Sequence, residues 1–199
     1  MDDIFHTVQS PAEGIYKEKG SKFIAFVFPV DDESTIKQHI ESLKKQYYDA
    51  RHHCYAYAIG PKREKYRTFD DREPSGTAGK PIFSQILSFN LTNVLIVVVR
   101  YFGGTLLGKN GLSKAYKSAA YDALSKAKII KKTVDSRVKI TFEMAALSMI
   151  LNILKNMDAK IVSQNYDHEY LLIFDIRKSL YDEVKNKIIS FGNINWQDI

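Results

Sequence analysis

Two short segments hold most of the residues that could do chemistry. The first is GGTLLGKN, Gly103 to Asn110, which follows six consecutive apolar residues, Val94 to Val99, and the pair Arg100–Tyr101. A buried strand, a glycine-rich turn and a helix N-terminus in that order leave main-chain N–H groups free to meet an anion. Gly103, Gly104 and Gly108 open the turn, while Lys109, Lys114 and Lys117 add positive charge around it. The spacing nearly matches a Walker A loop, with Lys109 after the second glycine. Asn110 stands where the magnesium-holding hydroxyl belongs, and Gly111 loosens the first helical turn. The Walker-B-like LLIFD, Leu171 to Asp175, falls in a different part of the chain. An anion-binding turn without hydrolysis is therefore the reading of this segment, with Arg100 and Tyr101 at its entrance.

The second segment is DDREPSGTAGK. Asp70, Asp71 and Glu73 are three carboxylates within four residues, followed by Ser75, Gly76 and Thr77. Such a set holds Mg²⁺ with several waters, or Asp70 and Asp71 order the loop by accepting backbone N–H bonds or pairing with Arg67, Arg72 or Arg100. The second reading is preferred, because acidic clusters within one segment are common in loops. His52, His53 and Cys54 are adjacent, but strand alternation puts His52 and Cys54 on one face and His53 on the other. No spaced Cys/His set completes a zinc site, and no G-x-S-x-G turn surrounds Ser75 or Ser113. No cofactor is expected. Tyrosines interleaved with the basic residues, Tyr47 to Tyr116, offer stacking surfaces for unpaired bases or simply core rings with a hydroxyl at the surface.

These segments must be positioned by flanking elements. Gly14–Lys17 and Ser21–Val30 read as strands around a turn at Lys19–Gly20. Asp31 to Ser34 supply caps for a helix running to Tyr48, with Ile36, Ile40, Leu43 and Tyr47 on one face. His53–Ile59 alternates as a strand does. Residues 60–80 show no apolar periodicity and read as one long loop. Pro81–Phe89 reads as a short helix and Leu112–Lys126 as an amphipathic one, leading to a link near Ile130–Val134. The pattern then resets. Strand, helix, strand, hairpin turn at Asp167–His168, strand, helix (with Ser179 as its N-cap) and a last short strand give β-α-β-β-α-β in about 65 residues. The expectation is an α+β domain over 1–130 and a ferredoxin-like (βαββαβ) domain over 131–199.

The 199-residue chain is 45% apolar and 26% charged, with a net charge of +6. Residues 51–128 hold 13 Lys/Arg against 5 Asp/Glu, whereas residues 131–199 hold 10 against 9. A basic excess confined to one part of the chain favours an anionic partner, nucleic acid first. The single cysteine, Cys54, excludes an internal disulfide and fits a reducing compartment. No apolar run approaches the roughly 20 residues of a membrane span. The polar, acidic start of the chain is unlike a secretory signal. A cytoplasmic location with no membrane partner is expected.

Three motifs in order, HHCYAYAIG, DDREPSGTAGKPI and VVVRYFGGTLLGKNGLSKAYKSAA, resemble the Impact (YigZ-type) family shared by bacteria and eukaryotes. The segment after residue 130 resembles the second domain of its bacterial members. The resemblance implies an N-terminal domain like domain 2 of ribosomal protein S-five (S5), a fold shared with elongation factor G and several kinases. It also implies a C-terminal domain akin to an elongation-factor G module. Eukaryotic members bind the activator of a translation-initiation kinase. The resemblance thus implies a non-enzymatic, translation-associated regulator whose partner is RNA, the ribosome, or a translation-factor or kinase-regulator protein. An enzyme acting on a phosphorylated or nucleotide ligand, and a pure protein-interaction module, are the alternatives. Family positions carried over include His52, Asp70, Asp71, Glu73, Ser75–Thr77, Arg100 and Gly103–Gly104. Arg72 stands where the family usually has Gly, and Lys114 where it usually has Arg, keeping charge but losing the planar fork.

Overall fold

A computed structural model describes residues 3–199. In chain order the elements are β1 (Ile4–Val8), β2 (Ala12–Glu18), β3 (Ser21–Pro29), α1 (Glu33–Gln46), β4 (His52–Ile59), β5 (Lys65–Phe69), α2 (Gly79–Ser88), β6 (Val94–Tyr101) and α3 (Gly108–Lys126). They continue with β7 (Ile129–Thr133), β8 (Asp135–Phe142), α4 (Leu147–Asn156), β9 (Lys160–Tyr166), β10 (Tyr170–Arg177), α5 (Tyr181–Ile189) and β11 (Asn195–Asp198). The chain forms two units, one of Phe5–Lys132 and one of Thr133–Ile199 with the described residues 3–4. The strand β1 pairs with β7.

The first unit is a five-stranded antiparallel sheet in the order β2-β3-β6-β4-β5, with β6 in the middle. Val94 to Val99 are fully buried because helices cover both faces of that central strand. Alternation sends Val94, Ile96 and Val98 to a core shared with α2 and α3. Leu95, Val97 and Val99 go to a core beneath α1. The helix α1 starts where Asp32 accepts from the Thr35 amide at 2.9 Å, a side-chain N-cap. The helix α3 buries Leu112, Ala115, Tyr116, Ala119, Ala120, Ala123 and Leu124 as one stripe.

The second unit has strand order β11-β8-β10-β9, all antiparallel. With helices after its first and third strands, that order is the ferredoxin-like arrangement. Val138, Ile140, Phe142, Leu172, Phe174 and Ile176 alternate inward from the two central strands onto Ile150, Leu154, Val184 and Ile188 of the helices. Ser179 does not cap α5: the residue before that helix is Leu180, with no side-chain cap, and the Ser179 amide instead donates to Asp3.

Asp3 is the tie between the two ends of this unit's chain. Its carbonyl accepts from the Val134 amide at 2.7 Å, and its carboxylate accepts from Arg177 at 2.8 Å and from the Ser179 amide at 3.2 Å. The Arg177 guanidinium, then Ser179, hold the Asp3 carboxyl well below the usual carboxylate range. A depressed folded-state pKa contributes stability that is present above the unfolded value, near 4, and is lost as pH falls through the folded one. Asp3→Asn is therefore expected to destabilise this unit at neutral pH and to flatten its stability loss below about pH 4. The one tryptophan, Trp196, packs in this unit's core, so its fluorescence during urea unfolding at several pH values makes the measurement.

Candidate anion-binding site

The residues of the two chemical segments meet at the end of β6, and they divide into a buried layer and an exposed one. Arg100 is the last buried residue of β6, only 5% exposed. Its Nη1 donates to Glu73 Oε1 at 2.5 Å. The Tyr116 hydroxyl of α3 donates to the same oxygen at 2.8 Å. The guanidinium lies against the rings of Phe23 and Phe102, 5.4 and 5.7 Å from their centroids, and its Nε has no partner among the described residues. Arg100 therefore sits beneath the surface, neutralised by a carboxylate, rather than among the exposed lysines as the sequence suggests.

Strand alternation separates Tyr101 from this group. Its ring packs with the core under α1, on the other side of the sheet, and its hydroxyl donates to Asp49 at 2.8 Å. That bond to Asp49, followed by desolvation, pushes the Tyr101 hydroxyl up to about 12. Tyr116 is a core ring too, packed edge-on against Phe23. The Cys54 thiol lies 3.0 Å from the Asp70 carbonyl and 3.3 Å from the Tyr116 hydroxyl. Burial pushes both the thiol and this phenol far up, which disfavours the thiolate that a nucleophile needs.

The acidic segment is committed inward. Asp70 Oδ1 accepts from the amides of Ala78 and Gly79 at 3.0 and 2.8 Å, and Oδ2 from Gly76 at 2.8 Å. The carboxylate thus covers the N-terminus of α2, which has no other side-chain cap. Asp71 Oδ2 accepts from the His53 amide at 2.7 Å, and its carbonyl lies 2.8 Å from His52 Nδ1. A carbonyl only accepts, so His52 carries a proton on Nδ1, and its Nε2 faces Glu73 Oε1 at 3.9 Å. Thr77 Oγ1 donates to the Pro74 carbonyl, while Ser75 is exposed. The three carboxylates answer three different sets of donors instead of converging, which is the wrong arrangement for Mg²⁺. Among the described residues no group of three or more His, Cys, Asp or Glu could hold a metal.

The exposed layer is the loop itself. Gly103 packs on the β2–β3 turn so closely that a Cβ there would lie 1.9 Å from the Gly20 carbonyl carbon and 2.1 Å from the Ser21 amide. Its own amide donates to Ser21 Oγ at 3.1 Å. Gly103 is thus the hinge-pin that fixes the loop, and its amide is already used. Gly104 (φ 86°) and Gly108 (φ 68°) take left-handed backbone with open space above them. The helix α3 begins at Gly108, earlier than its apolar stripe suggests, and its N-terminus has no side-chain cap. Lys109, Lys114 and Lys117 are exposed and make no ion pair among the described residues. At 1.5 Å and about 100° per residue they extend about 12 Å along the helix and spread about 140° around it.

Sequence reasoning offered Arg100 as a partner for the acidic segment and a turn at Lys19–Gly20, but it missed that Glu73 is the carboxylate Arg100 meets, that Tyr116 shares it, and that Gly20 and Ser21 pack on Gly103. These bonds join positions 27 to 82 residues apart, and no local pattern signals them. Proximity of a lysine-bearing turn, Lys17 to Lys22, to the glycine loop follows from the same packing.

Fold and site together define a two-unit α+β protein whose first unit carries an uncapped, glycine-opened helix start braced from below by a buried ion pair. A family model described as the Impact N-terminal domain matches residues 19–124. The chain is 34% identical over 185 residues to "IMPACT family member YigZ" of Escherichia coli (strain K12), covering 92% of this chain and 91% of that one. It is 28% identical over 172 residues to an IMPACT family member of Haemophilus influenzae, with 85% and 84% covered. A solved crystal structure described as a hypothetical protein superposes with a TM-score of 0.74 at 31% identity, covering 100% of this chain and 98% of that one. The chain belongs to the IMPACT family. No helix among the described residues is long and apolar enough to cross a membrane.

Proposed function

We propose that the protein is a non-enzymatic, cytoplasmic, translation-associated factor that binds RNA, alone or within the ribosome, through the start and outer face of α3. The observation that supports this most is that three exposed lysines, Lys109, Lys114 and Lys117, follow an uncapped helix N-terminus over about 12 Å. A single phosphate meets the helix start and Lys109 but not a lysine about 12 Å along the axis, whereas a chain of phosphates meets all three. The bonds of Cys54, Glu73, Arg100 and Tyr116 to one another favour a bracing role for the buried layer over a catalytic one. Translation enters from the family resemblance.

The test is RNA binding across a salt series. Affinity should fall steeply with added salt. Lys109→Ala/Lys114→Ala/Lys117→Ala should flatten the log–log slope by about 2, since each phosphate left without its lysine on a single strand removes about 0.7. A slope unchanged by the triple substitution, or an affinity flat in salt, overturns the reading.

A further inference from the structure

The opposite face of the same sheet carries an independent feature. The edge strand β5 is bonded on one side only: its partner is β4, and among the described residues no other backbone group bonds to Lys65–Phe69. A helix lies against each edge strand, α2 against β5 and α3 against β2, but among the described residues a side chain takes an edge amide only at β2, where the Asp122 carboxylate accepts from the Ile15 N–H at 2.8 Å. An open edge with unpaired N–H and C=O groups is a template for another strand unless something blunts it.

The cross-strand register puts Lys65, Arg67 and Phe69 on the α1 side of β5, opposite Ile59, Tyr57 and Tyr55. Between them and α1 runs a groove of about 440 Å³, with Tyr55, Tyr57 and Phe69 below and Ile36 and Ile40 on the helix side. Its charges are unequal. Lys37 pairs with Glu41 at 4.0 Å, and Glu33 accepts from the Tyr57 hydroxyl at 3.4 Å. Lys44 and Arg67, on opposite sides of the groove, have no carboxylate within 4 Å among the described residues. The tyrosines are 9% and 7% exposed, too covered to stack a base. The rim carries Lys37, Lys44 and Arg67 against Glu33 and Glu41, and such a groove beside a strand edge, apolar below and with two unpaired cations above, suits a polypeptide rather than a nucleic acid.

We infer that β5 accepts an extended, acidic segment of a partner protein as a sixth strand of the sheet. Main-chain bonds to the free edge hold the segment, and alternate side chains face α1. One apolar side chain enters the groove beside Phe69, and a carboxylate two residues along meets Arg67 and Lys44. This surface lies apart from Lys109–Lys117 and stands or falls separately from RNA binding.

The probe is an acetylated, amidated heptapeptide in which valine, glutamate and valine alternate with threonines, added to the full chain. Binding should slow amide hydrogen exchange across Lys65–Phe69. Arg67→Glu, a change at an exposed position, should weaken it at least about tenfold, and a peptide with lysine in place of glutamate should recover affinity for that variant. The same peptide N-methylated at every residue keeps its side chains and charge but cannot join a sheet, and it should not bind. The inference is overturned if β5 gains no exchange protection, if the methylated peptide binds equally well, or if Arg67→Glu leaves affinity unchanged.

Discussion

Replacing Arg100 with leucine is expected to lower the unfolding free energy of the N-terminal unit by about 3–5 kcal/mol, the usual cost of stripping one partner from a buried ion pair. The reason lies with the residue left behind. Glu73 is 8% exposed, and its Oε1 receives both the Arg100 guanidinium and the Tyr116 hydroxyl. Without the guanidinium, a carboxylate remains in a site walled by Phe23 and Tyr116, with one neutral donor. Glu73→Gln alone should cost a comparable amount, since it leaves the guanidinium without an anion. The double variant should recover much of the loss, because a neutral pair of similar volume avoids both desolvation penalties. Urea unfolding followed by far-UV circular dichroism, with Trp196 reporting the second unit separately, reads the cycle. An Arg100→Leu cost under about 1 kcal/mol would mean that solvent reaches the pair and that it does not brace the glycine loop.

That buried layer also shows where reading the sequence reaches its limit. The strand β6, the helix α3 and the elements β8, α4, β10 and α5 of the ferredoxin-like unit are legible because each repeats its apolar residues at its own period, and burial enforces that period; β9, exposed along its length, is legible only from its place before the hairpin turn. The strand β5 is not legible. KYRTF is an edge strand whose α1-side positions are Lys65, Arg67 and Phe69, two charges and one apolar ring, so it carries no apolar alternation and disappears into the long polar run of residues 60–80. The strands β1 and β7 are hidden for another reason: they pair with each other across about 125 residues, and β1 also bonds to Leu91–Asn93. Among the site residues, the glycines announce a turn, but which amides stay free depends on what packs there. Gly103 turns out to be occupied by Ser21, while Gly104 and Gly108 lie open. Tyr101 could have been placed correctly from alternation alone, since a neighbour of Arg100 on a strand must face the other way. The basic excess of residues 51–128 is real but not one patch: Arg100 is buried, Arg67 lies on the α1 face, and only the α3 lysines adjoin the loop.

The loop's own stiffness makes the second large effect. Asp70→Asn, ordinarily a mild change, is expected to cost about 3 kcal/mol, roughly what mutational series assign to losing hydrogen bonds to a charged group and leaving a donor unpaired. The carboxylate satisfies three amides with two oxygens, Ala78 and Gly79 on Oδ1 and Gly76 on Oδ2. An asparagine keeps one oxygen, so whichever way it turns, an NH₂ group faces an N–H. The negative charge opposite the α2 N-terminus is lost as well. Gly79 cannot retreat to ease the clash, since a Cβ there would already lie 2.6 Å from the Phe69 amide, which shows how tightly α2 is seated on β5. Loosening this seat should free the 70–79 loop as a whole, because Glu73 and Asp71 are held in register by the same turn. Hydrogen exchange in Asp70→Asn should therefore rise at Gly76, Ala78 and Gly79 and spread to the His53 amide, while β8 to β11 stay protected. Exchange confined to Gly76 alone would show that α2 keeps its place without the carboxylate, and that the acidic segment does not order this loop.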